Sequence, residues 1–323
     1  MSRLISVIPV FNGARHIAAT LESLARQELR PDRVIIQDNG STDNTREVVE
    51  PFVREHGFEW APLDEPTGPR ENFNLALRFA AETEYLHLIP HDDLVQPDFF
   101  GRLIPELEPA AGYALAYSAY SVINDSGELL CNSDLRCPQP IDSEGTVARI
   151  QLLDFLRAQA EMRAICLSAV LMKTSQRALP LEFPPGYIQS GDVVFYALLA
   201  PHCERIVEVH APLCQYRRHL ESASSENQGD PAKLLRDVWQ GMNAVTTVME
   251  KNGSGGWIWK HRQRCRLAAI ARVMAGQARA DVSAERLMEL YAAGREIAGP
   301  LHWVLGGLAV ALTGRGPGRL EAE

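Results

Sequence analysis

Three short apolar runs, each closed by a polar turn, constrain this chain more than any other feature. Residues 4–10 end at Asn12-Gly13, residues 33–37 at Asp38-Asn39-Gly40, and residues 85–89 at Pro90 followed by His91-Asp92-Asp93. Runs of this length, bounded by turn residues, predict buried strands. Helical spacing lies between them: Ile17, Leu21 and Leu24 first, then residues 42–55, then Phe73, Leu77 and Ala80 within 72–81. Residues 60–63 predict a further strand. Strands separated by single helices imply βαβ crossovers and a mostly parallel sheet with helices on both faces. Ligands of such sheets bind at the carboxyl ends of the strands. The clusters at Asn12, Asp38-Asn39 and Asp92-Asp93 all fall at that edge.

The pattern is more mixed beyond residue 100. Residues 113–123 predict a strand, 124–140 a loop or hairpin, and 147–156 a helix. A strand follows over 169–173 and a short helix over 192–199, and two closing strands are predicted at 206–209 and 213–216. From about Pro231 everything reads as helix: 234–248, 257–275, 284–297 and 301–312. The expected organisation is an α/β domain over 1–227, in two halves of about 1–100 and 101–227, then a helical extension over 228–323.

Composition removes several classes. The formal charge of −9 argues against nucleic-acid partners, which require a basic surface. Charge is uneven: residues 1–250 hold 21 Lys/Arg and 35 Asp/Glu, residues 251–323 hold 11 and 6. A basic tail on an acidic body suits a solvated helix face or an anionic membrane surface. The six cysteines include no CxxC pair and read as reduced, mostly buried thiols of a cytosolic protein. The first residues run directly into a strand pattern, which predicts no signal peptide. The apolar run 301–312 is shorter than the roughly 20 residues that span a bilayer. Neither GxGxxG nor GxxxxGK[ST] follows the first strand, which disfavours dinucleotide oxidoreductases and P-loop NTPases.

The segments ISVIPVFNG (5–13), QDNGSTDNT (37–45) and YLHLIPHDDL (85–94) resemble, in order and spacing, family-2 glycosyltransferases of the GT-A fold. GPRENFN (68–74) resembles a variant seen in that family before its fourth strand. The resemblance covers residues 4–100, returns over 185–225 and stops near 230. It implies a GT-A-like, Rossmann-like catalytic domain. The implied activity is inverting transfer of a sugar from a nucleotide-diphospho-sugar, a UDP-sugar being favoured, to a glycan or lipid-linked acceptor. Bacterial surface-polysaccharide or glycoconjugate assembly is the implied setting, in the cytoplasm or peripheral on the inner membrane face.

Site residues carry over position by position. Asp38 would accept a hydrogen from the N–H of the base, and Asn39 stands where the family often has a second Asp. Pro9, Phe11 and Asn12 would frame the base, and Arg70 would reach phosphate. His91-Asp92-Asp93 matches the family's DxD-type motif, except that Pro90 takes the place of the first Asp. Asp92 is then the expected ligand of Mn2+ or Mg2+, His91 lies beside the nucleotide, and Asp93 supports the loop or the acceptor side. Neutralising a diphosphate leaving group is what such an ion does.

YIQSGDVVF (187–195) resembles the family's G-E-D-x-x-F region, which makes Asp192 the expected general base. Asp192 also suits the N-terminus of the following helix. QYRRH (215–219), with Ser222, Ser224 and Ser225 after it, resembles the closing segment. That implies His219 as metal ligand, Arg217 or Arg218 as phosphate or acceptor-side contact, and residues 221–229 as a loop ordering over donor. Residues 257–313 suit a peripheral membrane contact or self-association. Two rival readings follow from the departures. Pro90 and Gly191 suit a degenerate, non-catalytic nucleotide-sugar-binding module. A sugar nucleotidyltransferase would need a Gly-rich, Arg/Lys-bearing loop after the first strand, which residues 11–15 lack.

Overall fold

A computed structural model describes residues 2–132, 146–161, 165–174, 178–179, 181–219, 230–276 and 283–313. The predicted loop 221–229, its three serines, and Cys137 lie outside the described residues.

The first strands and helices follow the sequence pattern: β1 (Ser2–Val10), α1 (Ile17–Ala25), β2 (Arg33–Asp38), α2 (Thr45–His56), β3 (Glu59–Pro62), α3 (Pro69–Leu77) and β4 (Thr83–Leu88). β1 pairs parallel with β2 on one side and with β4 on the other, and β3 runs parallel beyond β2. Both faces of β1 are buried: Leu4, Ile8 and Val10 on one, Ile5 and Val7 on the other. Parallel strands carry near-continuous apolar runs for this reason. The first face packs with Ile17, Leu21 and Leu24 of α1 and with α4 (Phe99–Leu107) through Phe99, Phe100, Leu103, Ile104 and Leu107. The sequence pattern did not signal α4, because Gly101 and Pro105 interrupt it.

The remaining strands are β5 (Leu94–Val95), β6 (Ala114–Ile123), β7 (Leu129–Asn132), β8 (Val147–Arg149), β9 (Val170–Lys173) and β10 (Arg205–Arg217). The sheet order is β3-β2-β1-β4-β9-β6-β10-β5, with β7 on β6 and β8 on β10. It is a mixed sheet, since β9, β5, β7 and β8 all pair antiparallel. Two details differ from expectation. Residues 147–149 form a strand, because they pair antiparallel with 207–209 of β10, and the helix α5 (Leu152–Ala160) begins only afterwards. Residues 206–209 and 213–216 form one strand, whose register on β6 shifts around Pro212. Proline donates no ladder hydrogen bond, so such a strand bulges there.

The described residues divide into two compact units. The first comprises 1–152, 165–183 and 199–218; the second comprises 153–164, 184–198 and 219–323. The second holds α5, α6 (Gly191–Leu199), α7 (Pro231–Lys251), α8 (Trp257–Gly276), α9 (Ala284–Ala298) and α10 (Pro300–Thr313). Its core gathers Leu235 and Met242, Leu267 and Ala271, Leu290 and Ala293. No helix among the described residues is long and apolar enough to cross a membrane. Among the described cysteines, all five are free thiols; Cys166 and Cys214 are buried and Cys131 is exposed.

His87 of β4 is fully buried, where it meets Ser6 Oγ at 3.0 Å through Nδ1 and the Ser168 carbonyl at 2.9 Å through Nε2. Phe99 and Phe100 enclose the ring. Burial lowers its pKa to about 4, against the smaller opposing effect of the Ser168 carbonyl. Between that value and about 6.5 the unfolded chain binds the proton and the folded chain does not. The contribution of neutral His87 is therefore complete above about pH 6.5 and is lost as pH falls toward 4, by about 3 kcal/mol. Urea unfolding of wild type and His87→Gln at pH 7 and pH 4 tests this. The variant's loss on acidification should be smaller by about that amount, and identical pH dependence would exclude His87 as the group.

Candidate functional site

The chain runs from β1 outward to β2 and β3, then returns to place β4 on the other side of β1. The carboxyl ends of β1, β2 and β4 thus meet at a topological switch point, where α/β sheets bind ligands. Three predicted clusters converge here.

After β1, Asn12 adopts a left-handed backbone with φ 51°, a conformation that asparagine tolerates better than most residues. Its Oδ1 accepts from the Thr42 N–H at 2.8 Å, and its own N–H donates to Ser41 Oγ at 2.9 Å. Gly13 donates to Thr45 Oγ1 at 2.9 Å and Ala14 to Asp43 Oδ2 at 3.1 Å. A Cβ on Gly13 would lie 2.6 Å from Val10 Cγ2 and 2.7 Å from His91 Cδ2, so only glycine lets His91 sit over this turn. Pro9 is buried in β1, while Phe11 stands 51% exposed at the edge. An exposed aromatic beside buried polar groups is the surface a planar ring would cover.

After β2, Asp38 and Asn39 are both buried. Asp38 Oδ1 accepts from the Ser41 N–H at 3.1 Å. Asn39 holds Thr67 from both sides: its Nδ2 donates to the Thr67 carbonyl at 2.9 Å and its Oδ1 accepts from the Thr67 N–H at 2.7 Å. The segment leading to α3 is thereby tied to the strand end. Arg70, in the first turn of α3, donates to the Phe183 carbonyl at 3.1 Å.

After β4, the Thr20 hydroxyl donates to the carbonyls of His91 and Asp93, each at 2.8 Å. His91 and Asp92 are half-buried, whereas Asp93 is fully buried. The Asp93 carboxyl accepts from the Ser168 hydroxyl and from the Arg217 N–H, the latter at 2.9 Å. Burial first, then Cys166 and Asp92 nearby, holds Asp93 well above the usual carboxylate range, against those two hydrogen bonds. Arg217 is itself buried. Its Nε donates to the Asp92 carbonyl at 2.9 Å, and its Nη1 donates to the carbonyls of Asn124 and Asp125 at 3.2 and 3.0 Å. The guanidinium therefore pins the β4 turn to the β6–β7 turn, and Arg218, the next residue, is exposed. Asp125 also pairs with Arg15 and, at 3.2 Å, with His16 Nε2.

Asp192 and His219 belong to the second unit. Asp192 lies in the first turn of α6, and its Oδ1 accepts from the Val193 N–H at 2.7 Å. The turn before it is held by Asp237 of α7. That carboxylate accepts the N–H groups of Ile188, Gln189 and Ser190 at 2.7, 3.1 and 2.9 Å, and the Ser190 hydroxyl at 2.8 Å. His219 follows β10 by two residues.

Sequence reasoning did not single out Thr20, Ser168 or Asp237. Each is a common residue type on an unremarkable stretch, and only the fold brings it to the segment it holds. Arg217→Lys should destabilise the full chain by about 2–3 kcal/mol in urea unfolding, because Nε and Nη1 of the guanidinium reach two separate turns at once, a span that a single ammonium nitrogen does not have. A loss below about 0.5 kcal/mol would show that the three carbonyls do not depend on the fork.

Residues 6–130 match the family model described as Glycosyl transferase family 2. The chain is 26% identical over 110 residues to the glycosyltransferase GlyG of Streptococcus pneumoniae, covering 33% of this chain and 36% of that protein. It spans about a third or less of the length of the first curated relatives it matches. Among solved structures, TarS 1–349 of Staphylococcus aureus in complex with UDP-GlcNAc superposes with a TM-score of 0.60 at 17% identity, over 94% of this chain and 83% of that one. The mannosyltransferase PcManGT of Pyrobaculum calidifontis, in complex with GDP-Man and Mn2+, gives 0.53 at 17% identity, over 98% and 81%. The fold is the GT-A-type α/β architecture that the resemblance implied, with the C-terminal helical region that the sequence pattern predicted.

Proposed function

We propose that this chain, which belongs to glycosyl transferase family 2 through residues 6–130, transfers a glycosyl group from a nucleotide-diphospho-sugar to an acceptor hydroxyl with inversion. The observation that carries the reading is the convergence of Asp38-Asn39 and His91-Asp92 on one switch point of a GT-A-type sheet. The complexes of TarS with UDP-GlcNAc and of PcManGT with GDP-Man support a nucleotide-sugar donor, and a uridine base is favoured on the sequence resemblance alone. The acceptor is a glycan or a lipid-linked glycan, in keeping with relatives named teichoic acid poly(glycerol phosphate) polymerase and chondroitin synthase.

Asp38 accepts the base N–H from a rigid strand end, beside the exposed Phe11. Asn12 and Asn39 hold the 41–42 and 67 segments that frame the base. Arg70 and Arg218 are the phosphate and acceptor-side contacts, and His91 lies against the nucleotide. The residues present fit a divalent metal. The Asp93 carboxyl is committed to Ser168 and Arg217, so Asp92 is the member of the pair suited to act as ligand. His219 is the second ligand on the strength of the sequence resemblance. When bound, Mn2+ or Mg2+ neutralises charge on the leaving diphosphate. Asp192 takes the acceptor proton, a role that also rests on the resemblance.

Calorimetric titration with UDP and GDP, with Mn2+ and with EDTA, tests the reading. One diphosphate should bind with metal, and Asp92→Asn should weaken that binding roughly tenfold or more. Asp192→Asn should leave it intact while lowering sugar transfer or donor hydrolysis about 100-fold or more. Absence of nucleotide binding under every condition would overturn the proposal in favour of a degenerate module.

A further inference from the structure

The helical unit carries a cavity lined by none of the residues assigned above to glycosyl transfer. It measures about 400 Å3, within the range of ligand pockets. Its wall is formed by Glu161, just after α5, and by Trp257, Trp259, Gln263 and Arg266 of α8. Gln263 is only 4% exposed, yet its Oε1 meets no hydrogen-bond donor among the described residues. The Trp259 indole N–H, one helical turn away, likewise meets no acceptor among them. Buried groups of this kind are rarely left unmet in a native fold.

One acceptor and one donor, four residues apart on a helix, share a face. A carboxylate or phosphate oxygen satisfies the donor alone, and an ammonium satisfies the acceptor alone. A hydroxyl accepts from the indole and donates to the amide. The neighbouring Glu161–Arg266 pair, 3.5 Å apart, adds an acceptor and donors to the same wall. At the rim, Trp257 is 74% exposed, with its ring edge-on to His261 at a centroid distance of 4.1 Å. An exposed indole packs against the weakly positive C–H face of a sugar ring. Hydroxyls inside and C–H groups at the rim describe a carbohydrate.

We propose that the cavity along α8 binds a glycosyl unit of an oligosaccharide chain, independently of the transfer chemistry. Leu301, Val304 and Leu305 of α10 are also exposed. A bilayer resting on this end would nevertheless leave the amide and indole without partners.

Saturation-transfer NMR on the full chain tests the proposal with chitohexaose, maltohexaose and a hyaluronan hexasaccharide. At least one should receive saturation at its ring protons. Trp257→Ala and Gln263→Leu should each weaken binding about tenfold, as expected for one lost contact. Trp257 is exposed enough that its replacement leaves the fold intact, which keeps the test decisive if Gln263→Leu unfolds. UDP binding, read on the same samples, should stay at the wild-type level; its absence in wild type would count against the transferase reading and leave the sugar readout standing. No transfer from any of the three sugars, or undiminished transfer in both variants, overturns the proposal. Binding to phosphatidylglycerol vesicles that Trp257→Ala abolishes, without sugar binding, assigns this end to a lipid surface and also overturns it.

Discussion

The parallel pairing of β1 with β2 on one edge and β4 on the other is the constraint on which the first unit depends. It buries both faces of β1, so no polar side chain with a ligand-binding role can sit along the strand. Polar chemistry is expelled to the strand ends. Because the three strands are parallel, their carboxyl ends lie at the same edge. Because the chain reverses its direction of travel across the sheet at β1, the turns after β1, β2 and β4 are gathered at one switch point. A polar edge suited to a ligand is thus a by-product of satisfying an apolar strand on two sides.

The turns at that edge are built from buried polar groups that hold backbone. Thr20 takes two carbonyls of the β4 turn, Asp93 takes the Arg217 N–H and the Ser168 hydroxyl, and Arg217 takes three further carbonyls. Leaving any of these buried atoms unmet costs more than the bond itself contributes, so the network over-determines the loop. Preorganisation of this kind is what a site needs if it is to bind a charged donor without rearranging. The helical unit repeats the device in another form, with one carboxylate, Asp237, gathering three successive N–H groups ahead of α6.

Much of this was legible in the chain, and the exceptions have reasons. The strands and helices to residue 89 have strong periodicity and turn residues at their ends, and they fold as their pattern indicates. α4 escapes notice because Gly101 and Pro105 break its signal, although packing of Phe99, Phe100, Leu103 and Leu107 on the sheet overrides both. Residues 147–149 read as the start of a helix and fold as a strand, because β10 offers a free edge. At the site, Asp38, Asp92 and Asp93 stand out as carboxylates after buried strands. Nothing in the pair Asp92-Asp93 tells which one turns inward, since that depends on Ser168 and Arg217, 75 and 124 residues further on.

The sequence alone determined the βαβ order, the edge at which polar residues collect, and the motif-bearing residues, because periodicity and turn chemistry are local properties written in adjacent positions. Tertiary structure alone decided that β4 returns beside β1, that Asp93 and Arg217 serve the scaffold, and that Asp237 steadies the turn ahead of Asp192. Those outcomes come from buried polar atoms finding partners across long stretches of chain. Which partners come within reach is a property of the packed fold and of no single segment.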